Sequence, residues 1–264
     1  MNSTIEVRGV SISFGDKPVL TDVSFRMGSG ETLILLGVTG SGKSVLLKLI
    51  AGLLKPDAGE ILIDGENTVP MSETQLNPFR KRMGVVFQEG AIFDSLSVYE
   101  NVSYPLRESG QRDEEKIEAD VRRVLGFVEM EDAIDKMPSE LSGGMRRRVS
   151  IARAIVAQPA IMLYDSPTAG LDPVTANTIN ILIAKLRDLH GVSSVLVTQR
   201  VQDAFFLSNI AISPESRKVI PIDDGGDSRP ATRFMVLRDK QVYFAGTREE
   251  FVGTRDPYLV KFIS

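Results

Sequence analysis

The sequence predicts an α/β fold in which a parallel sheet forms the core and a mostly helical lobe is inserted into it. Two observations carry this expectation. Short apolar, strand-like runs alternate with helix-like segments near both ends of the chain, and from Glu89 to about Pro159 the pattern turns helical. Alternation of strand and helix implies parallel strands joined by crossover helices, and an unbroken helical block implies an insertion. With 264 residues the chain is long enough for one large domain and a sizeable core.

The first 36 residues hold three β-rich runs, IEVRGVSISF, DVSFRM and TLILL, with turns at Gly15-Asp16-Lys17-Pro18 and Gly28-Ser29-Gly30. A glycine-rich loop follows, then an amphipathic segment over Val45–Leu54. KPDAGEILIDGE reads as turn, strand, turn; residues 70–82 are helix-like and polar; MGVVFQ returns to strand. In the helical block, the charged run ESGQRDEEKIEADVRRVLGFV is expected to be a solvated helix face. Strands resume at IMLYD and SSVLVT around the helix-like VTANTINILIAKLRDLHG. Residues 212–233, rich in Pro, Gly and Asp, predict a flexible loop, and FMVLRDKQVYFAG a final hairpin before a short tail. The boundaries expected are 1–88 and 160–264 for the core, 89–159 for the helical lobe, and about 5–247 for the whole domain.

Composition narrows the function. Apolar content of 42% and charged content of 25% suit an ordinary soluble globular protein, and a net charge of −4 argues against a nucleic-acid binder. Having no cysteine, the chain has neither disulfides nor thiolate metal sites. MNSTIEVRGV has neither a basic nor an apolar leader region, so no signal peptide is expected. Charge or glycine breaks the longest apolar runs well short of the roughly 18–20 residues of a membrane span, so no spanning helix is expected.

Two motifs carry chemistry. LLGVTGSGKSVLL holds Gly37, then Val38, Thr39, Gly40 and Ser41, then Gly42-Lys43-Ser44, the phosphate-loop pattern G-x-x-x-x-G-K-[ST]. Its glycines let backbone N–H groups face a phosphate at a helix's positive end. Lys43 would reach the β/γ-phosphates of a nucleotide and the Ser44 hydroxyl would ligate Mg²⁺. The strand-like Leu33–Leu36 before the loop and the helix after it suit this reading. IMLYDSPTAGLDP brings a second group: Asp165 ends a buried strand, where an acid partners a phosphate loop by holding Mg²⁺. The competing reading of Asp165 is an acid that caps the next turn.

LSGGM at 141–145, taken with GVTGSGKS, Gln88 in VVFQEG, and YDSPTAGLDP, resembles the ATP-binding subunit of ABC transporters from about residue 5 to residue 210. The resemblance implies a P-loop ATPase with an N-terminal antiparallel β subdomain beside the parallel core, and ATP and Mg²⁺ as cofactors. It implies that Ser142, Gly143 and Gly144 of one subunit close over the γ-phosphate held by another, hence a head-to-tail dimer, expected to be a homodimer. Phe14 matches the aromatic that stacks on adenine, unless it is a core phenylalanine. Gln88 matches the glutamine that senses the γ-phosphate and Mg²⁺. Asp172 falls in the loop that crosses between subunits. FQEGAIFDSLSVYENVSYPL and LSGGMRRRVSIARAI further resemble the Mla/Mce lipid-trafficking branch. That likeness implies an integral membrane permease and lipid-binding Mce-type partners, with this subunit peripheral on the cytoplasmic face of the inner membrane. Arg146, Arg147 and Arg148 are expected on a helix face near the nucleotide rather than in a nucleic-acid patch.

The sequence departs from the family's pattern twice. Ser166 stands where the family has the glutamate that activates the attacking water, and Gln199 where it has the switch histidine. Serine cannot take a proton from water near neutral pH, and losing a positioned general base typically costs ~10²–10⁴ in rate. The only histidine, His190, is expected at a helix end. ATP binding is therefore expected to be intact and hydrolysis slow. Three explanations remain open: another base, with Glu89 and Asp172 the nearest; engineered changes; or pairing with a second, competent subunit. A regulatory ATP-binding module with little turnover is the main alternative function. A soluble ABC-type ATPase acting on nucleic acid or ribosomes is the other, but the coiled-coil insertions, zinc cysteines and tandem units of such proteins are missing from this sequence.

Overall fold

The computed structural model describes residues 3–222 and 232–263. Strands β1 (Ser3–Phe14) and β2 (Lys17–Gly28) form an antiparallel hairpin, turning at Gly15-Asp16 with Phe14 opposite Lys17. The sequence expectation of a turn through Lys17-Pro18 is corrected here, since both residues lie in β2. Strand β3 (Thr32–Leu36) leads into the glycine loop and helix α1 (Lys43–Ile50). Strands β4 (Ala58–Ile63) and β5 (Glu66–Asn67), helix α2 (Glu73–Arg80) and strand β6 (Met83–Val86) follow. Ser72 and Gln75 close a capping box that starts α2 despite Pro78 inside it.

Between residues 89 and 159 lie helices α3 (Val98–Glu108), α4 (Glu114–Phe127) and α5 (Gly143–Ile155), with single 3₁₀ turns at Glu131–Ala133 and Pro138–Glu140. On α4 the apolar positions Ile117, Val121, Val124 and Leu125 are buried, and ion pairs such as Arg122–Glu118 cover its outer face. Strand β7 (Ile161–Asp165), helix α6 (Pro173–His190), strand β8 (Ser193–Val197), helix α7 (Val201–Asn209) and strand β9 (Ile210–Ile212) come next. The chain continues with β10 (Val219–Pro221), β11 (Thr232–Arg238), β12 (Gln241–Gly246), α8 (Arg248–Val252) and α9 (Pro257–Ile263). Of the expected loop at 212–233, residues 219–221 pair antiparallel with 210–212 and Thr232 opens β11, so it is not one continuous loop; 223–231 lie outside the described residues.

The main sheet runs β12-β11-β3-β8-β7-β6, parallel except for the edge strand β12. A second, antiparallel sheet has the order β2-β1-β4-β5. Every residue of β3, β7 and β8 is buried, as expected of parallel strands covered on both faces. Alternate residues feed two cores. Ile34, Leu36, Met162, Tyr164 and Leu196 pack against the helices, while Leu33, Leu35, Leu163, Val195 and Val197 pack with α1 and the antiparallel sheet. Burial of each such side chain stabilises the fold by roughly 1.5–3 kcal/mol. The two cores fix the C-terminal ends of β3, β6, β7 and β8 side by side, and ligands of such sheets bind there. A cleft of about 1120 Å³ with Arg82, Arg123, Lys185 and His190 in its walls is lined by none of residues 37–44.

Candidate functional site

The phosphate loop leaves β3 at Gly37, whose φ is 151°. A Cβ there would meet the Leu237 carbonyl oxygen and Ser41 Oγ, both at 2.6 Å, so a larger residue would push the loop off β11. This contact is invisible in the sequence, where Leu237 lies in the last hairpin. The loop ends at Gly42, which opens α1 without a side-chain cap. The orphan N–H groups of the helix's first turn and its positive dipole end thus serve the loop. Lys43 is only 5% exposed, and its Nζ donates to the carbonyls of Gly37 and Val38, both at 2.8 Å, and to Ser41 Oγ at 3.3 Å. Burial pushes its pKa down, and the charge of Asp165 works against that.

Asp165 ends β7, and Ser44 Oγ donates to its Oδ1 at 3.0 Å across 121 residues of sequence. This link answers the capping alternative: Asp165 faces the phosphate loop. A hydroxyl beside a carboxylate is an oxygen donor pair suited to a hard cation that keeps most of its water and binds phosphate oxygens. Among the described residues no group of three or more His, Cys, Asp or Glu could hold a metal, so an all-protein cage is not offered. The donor set fits Mg²⁺ held together with a phosphate ligand.

Ser166 is 7% exposed and left-handed, with φ 50°, a conformation that costs a non-glycine residue about 1–2 kcal/mol. Its N–H donates to the Val197 carbonyl at 2.9 Å, and its Oγ lies 3.4 Å from Asp165 Oδ1. The backbone therefore turns sharply at the strand end and keeps the hydroxyl beside the acid. Gln199 lies two residues past β8, where its Oε1 accepts from Thr39 Oγ1 at 3.1 Å. The structure thus brings Gly37–Ser44, Asp165, Ser166 and Gln199 to one edge. Gln88 is exposed two residues beyond β6, next to β7 in the sheet. Phe14, at the end of β1, is 51% exposed, which excludes the core reading.

The signature forms a separate group. Ser142 caps α5 by accepting from Met145 N–H at 3.2 Å, and Gly143 is exposed beside it. A Cβ on Gly144 would lie 2.4 Å from Thr175 Cγ2, so glycine allows α5 to sit directly on the start of α6. Asp172 caps α6, its Oδ1 accepting from the N–H groups of Val174 and Thr175 at 3.0 Å each. A hydrogen bond from the Thr175 side chain, with help from these amides, holds the Asp172 carboxyl below its ordinary range. A carboxylate so stabilised is a poor proton acceptor, which counts against Asp172 as the replacement base. Glu89 is exposed and its charge reaches Arg147. Among the described residues no hydrogen bond joins Ser142, Gly143 or Gly144 to residues 37–44.

Several residues here escape sequence reasoning. Arg147, inside the RRR run, is buried, and donates to the Phe87 carbonyl at 3.2 Å and the Ala169 carbonyl at 3.3 Å. Burial pushes its pKa down, opposed by Glu89. Arg200 donates to the carbonyls of Leu171 at 3.2 Å and Thr168 at 3.4 Å. Asp203, 3% exposed, accepts from the Thr168 hydroxyl and from Asn180 Nδ2, and pairs with Arg200 Nε at 3.6 Å. His190 ends α6 at the surface, its ring edge-on to Phe127.

Comparison with known proteins places this geometry. Residues 20–169 match the ABC transporter family model. The intermembrane phospholipid transport system ATP-binding protein MlaF of Escherichia coli is 38% identical over 259 residues, 98% of this chain and 88% of that protein. The probable ribonucleotide transport ATP-binding protein mkl of Mycobacterium leprae is 36% identical over 264 residues, 100% of this chain and 70% of that protein. Among solved structures, the dimeric ATP-binding cassette MJ0796 in a post-hydrolysis state with ADP and Pi superposes with a TM-score of 0.77 at 29% identity, covering 92% of this chain and 98% of that one. The chain belongs to the ABC transporter family and is its ATP-binding subunit, an ABC-type ATPase.

Proposed function

We propose that this chain is the energy-coupling ATPase of a phospholipid transporter in the bacterial envelope, and that it binds ATP well but hydrolyses it slowly. The observation that carries the ATP site is the convergence of Lys43, Ser44, Asp165 and Gln199 at one sheet edge. The phosphate-loop amides from Gly37 to Ser44 and the Lys43 ammonium hold the phosphates, and Phe14 covers the adenine from the exposed end of β1. Ser44, Asp165 and Gln88 hold Mg²⁺, which when bound neutralises charge on the phosphate oxygens. Two copies close head to tail so that Ser142, Gly143 and Gly144 of one meet the phosphates of the other. The dimeric cassette with ADP and Pi supports the dimer.

Ser166 can hydrogen-bond a water molecule but not deprotonate it, and Gln199 can donate to a phosphate oxygen but carries no charge. Glu89, exposed beside Gln88, is the remaining candidate base. No helix among the described residues is long and apolar enough to cross a membrane. In this reading the chain works with an integral permease, as a peripheral subunit on the cytoplasmic face of the inner membrane, with Mce-type lipid-binding proteins as further partners. The second reading, a regulatory ATP-binding module, draws on Ser166 and Gln199 alone. Nucleic acid is not a partner in either.

The cargo rests on likeness to MlaF, and the relative named for ribonucleotide transport offers the contrast. Purifying the chain with its native membrane partners and identifying the co-purified small molecules by mass spectrometry tests it. Stoichiometric phospholipid is expected. Ribonucleotide bound to the partners in place of lipid would overturn the cargo.

A further inference from the structure

We propose that Arg147 and Arg200 clamp the backbone of residues 168–171 from two sides, and that this clamp sets the rate of ATP hydrolysis without contributing to ATP affinity. The inference rests on the ATPase reading above. The segment 166–172 starts at Ser166, which touches Asp165, and ends at Asp172, which caps α6 beside the signature. Arginine side chains take up three of its carbonyls. Arg147, three residues beyond Gly144 on α5, holds Ala169 and with its other terminal nitrogen holds Phe87, the neighbour of Gln88. Arg200, directly after Gln199, holds Thr168 and Leu171. Asp203 fixes both the Thr168 hydroxyl and the Arg200 guanidinium, and the Thr198 hydroxyl accepts from the Arg200 N–H at 3.0 Å.

Each arginine thus ties a different part of the site to one short segment: Arg147 the signature helix and the Gln88 strand end, Arg200 the start of α7 beside Gln199. Arg147 spans its two carbonyls with its two terminal nitrogens, while one terminal nitrogen of Arg200 reaches both of its carbonyls and Nε faces Asp203; a planar guanidinium presents these donors in a fixed fork. An ammonium on a flexible stem keeps the charge and loses the span. Among the described residues neither guanidinium makes a hydrogen bond to residues 37–44, so the clamp stands apart from the groups that would hold the phosphates. The arginines are positioning residues: they act through the segment carrying Ser166 and Asp172, not on substrate. The motif reading assigns Arg147 only to a helix face, and the link from Arg200 to the 168–171 backbone is a property of the fold.

The test uses the full chain with its membrane partners. ATP affinity is read with a fluorescent analogue, single-turnover phosphate release with labelled ATP, and melting temperature alongside, for the wild type, Arg147→Lys, Arg200→Lys and the double variant. Arg122→Lys, on the outer face of α4, is the control. Each clamp variant is expected to slow phosphate release by about 10- to 100-fold, the scale of a small misplacement at a reacting centre. Affinity should stay within about twofold, and the double variant should be little slower than the worse single one, as residues acting as a unit behave. Unchanged release rates would overturn the proposal, as would a slowing matched by an equal loss of affinity or confined to temperatures near a lowered melting point. If the wild type binds no ATP, or binds it no better than Lys43→Ala, the ATPase reading itself fails and the clamp with it. Wild-type binding and release with intact rates in both lysine variants would sink the clamp alone.

Discussion

Ser166→Glu is expected to raise ATP turnover by about 10²-fold, the lower end of what a positioned general base contributes. Ser166 sits at the end of β7, hydrogen-bonded through its backbone to Val197, with its side chain already beside Asp165. A glutamate there starts from a backbone anchored on β8, and its carboxylate supplies the proton acceptor that serine lacks. Affinity for ATP should change little, because Lys43, Ser44 and the loop amides are untouched. A carboxylate base works only when ionised, so the variant's turnover should fall as pH drops toward the ordinary glutamate range near ~4.3. The wild type should show no such limb from this position. Steady-state phosphate release across pH, with ATP affinity measured in parallel, checks both statements.

Lys43→Ala is expected to weaken ATP binding by about 10²-fold, as loss of a charge-assisted contact worth roughly 3 kcal/mol implies. Two effects add. The cation that meets the β/γ-phosphates is lost, and so are the ties from Nζ to the Gly37 and Val38 carbonyls that hold the loop's shape. Lys43→Arg should not restore binding, since the bulkier fork cannot enter a loop where the lysine is already 95% enclosed. Equilibrium titration with a fluorescent ATP analogue reads the effect.

Parts of this site are legible in the sequence because their signals are local. The phosphate loop is eight consecutive residues between a strand and a helix, and Asp165 is an acid that ends an apolar run. The same locality makes the Ser166 and Gln199 departures visible. Other parts leave no local trace. β11 lies parallel to β3 with Met235 opposite Leu35, a pairing across 200 residues that places Leu237 against Gly37. Nothing in FMVLRDKQ announces it, and the run reads equally well as half of a hairpin. Strand β10 hides in a turn-rich stretch because Val219 and Ile220, though good strand formers, are followed at once by Pro221 and make too short a run to signal a strand without their pairing with β9. Arg147 and Arg200 act on backbone carbonyls, and a carbonyl is the same for every residue type, so no partner residue marks them in the sequence. Asp203 is a buried acid within a helix, and its ties to Thr168 and Asn180 become visible only when α6, α7 and the 166–172 segment are packed.

In the proposed function, binding ATP and hydrolysing it are separable, the first intact and the second held back by Ser166. Measuring ATP affinity and turnover on one preparation of the wild-type chain with its membrane partners tests this most directly. The expected result is binding that Lys43→Ala weakens about 10²-fold, with turnover below the ordinary enzymatic range of about 1–10³ s⁻¹ and raised by Ser166→Glu. Wild-type turnover on the order of 10 s⁻¹, abolished by Lys43→Ala and unchanged by Ser166→Glu, would contradict it.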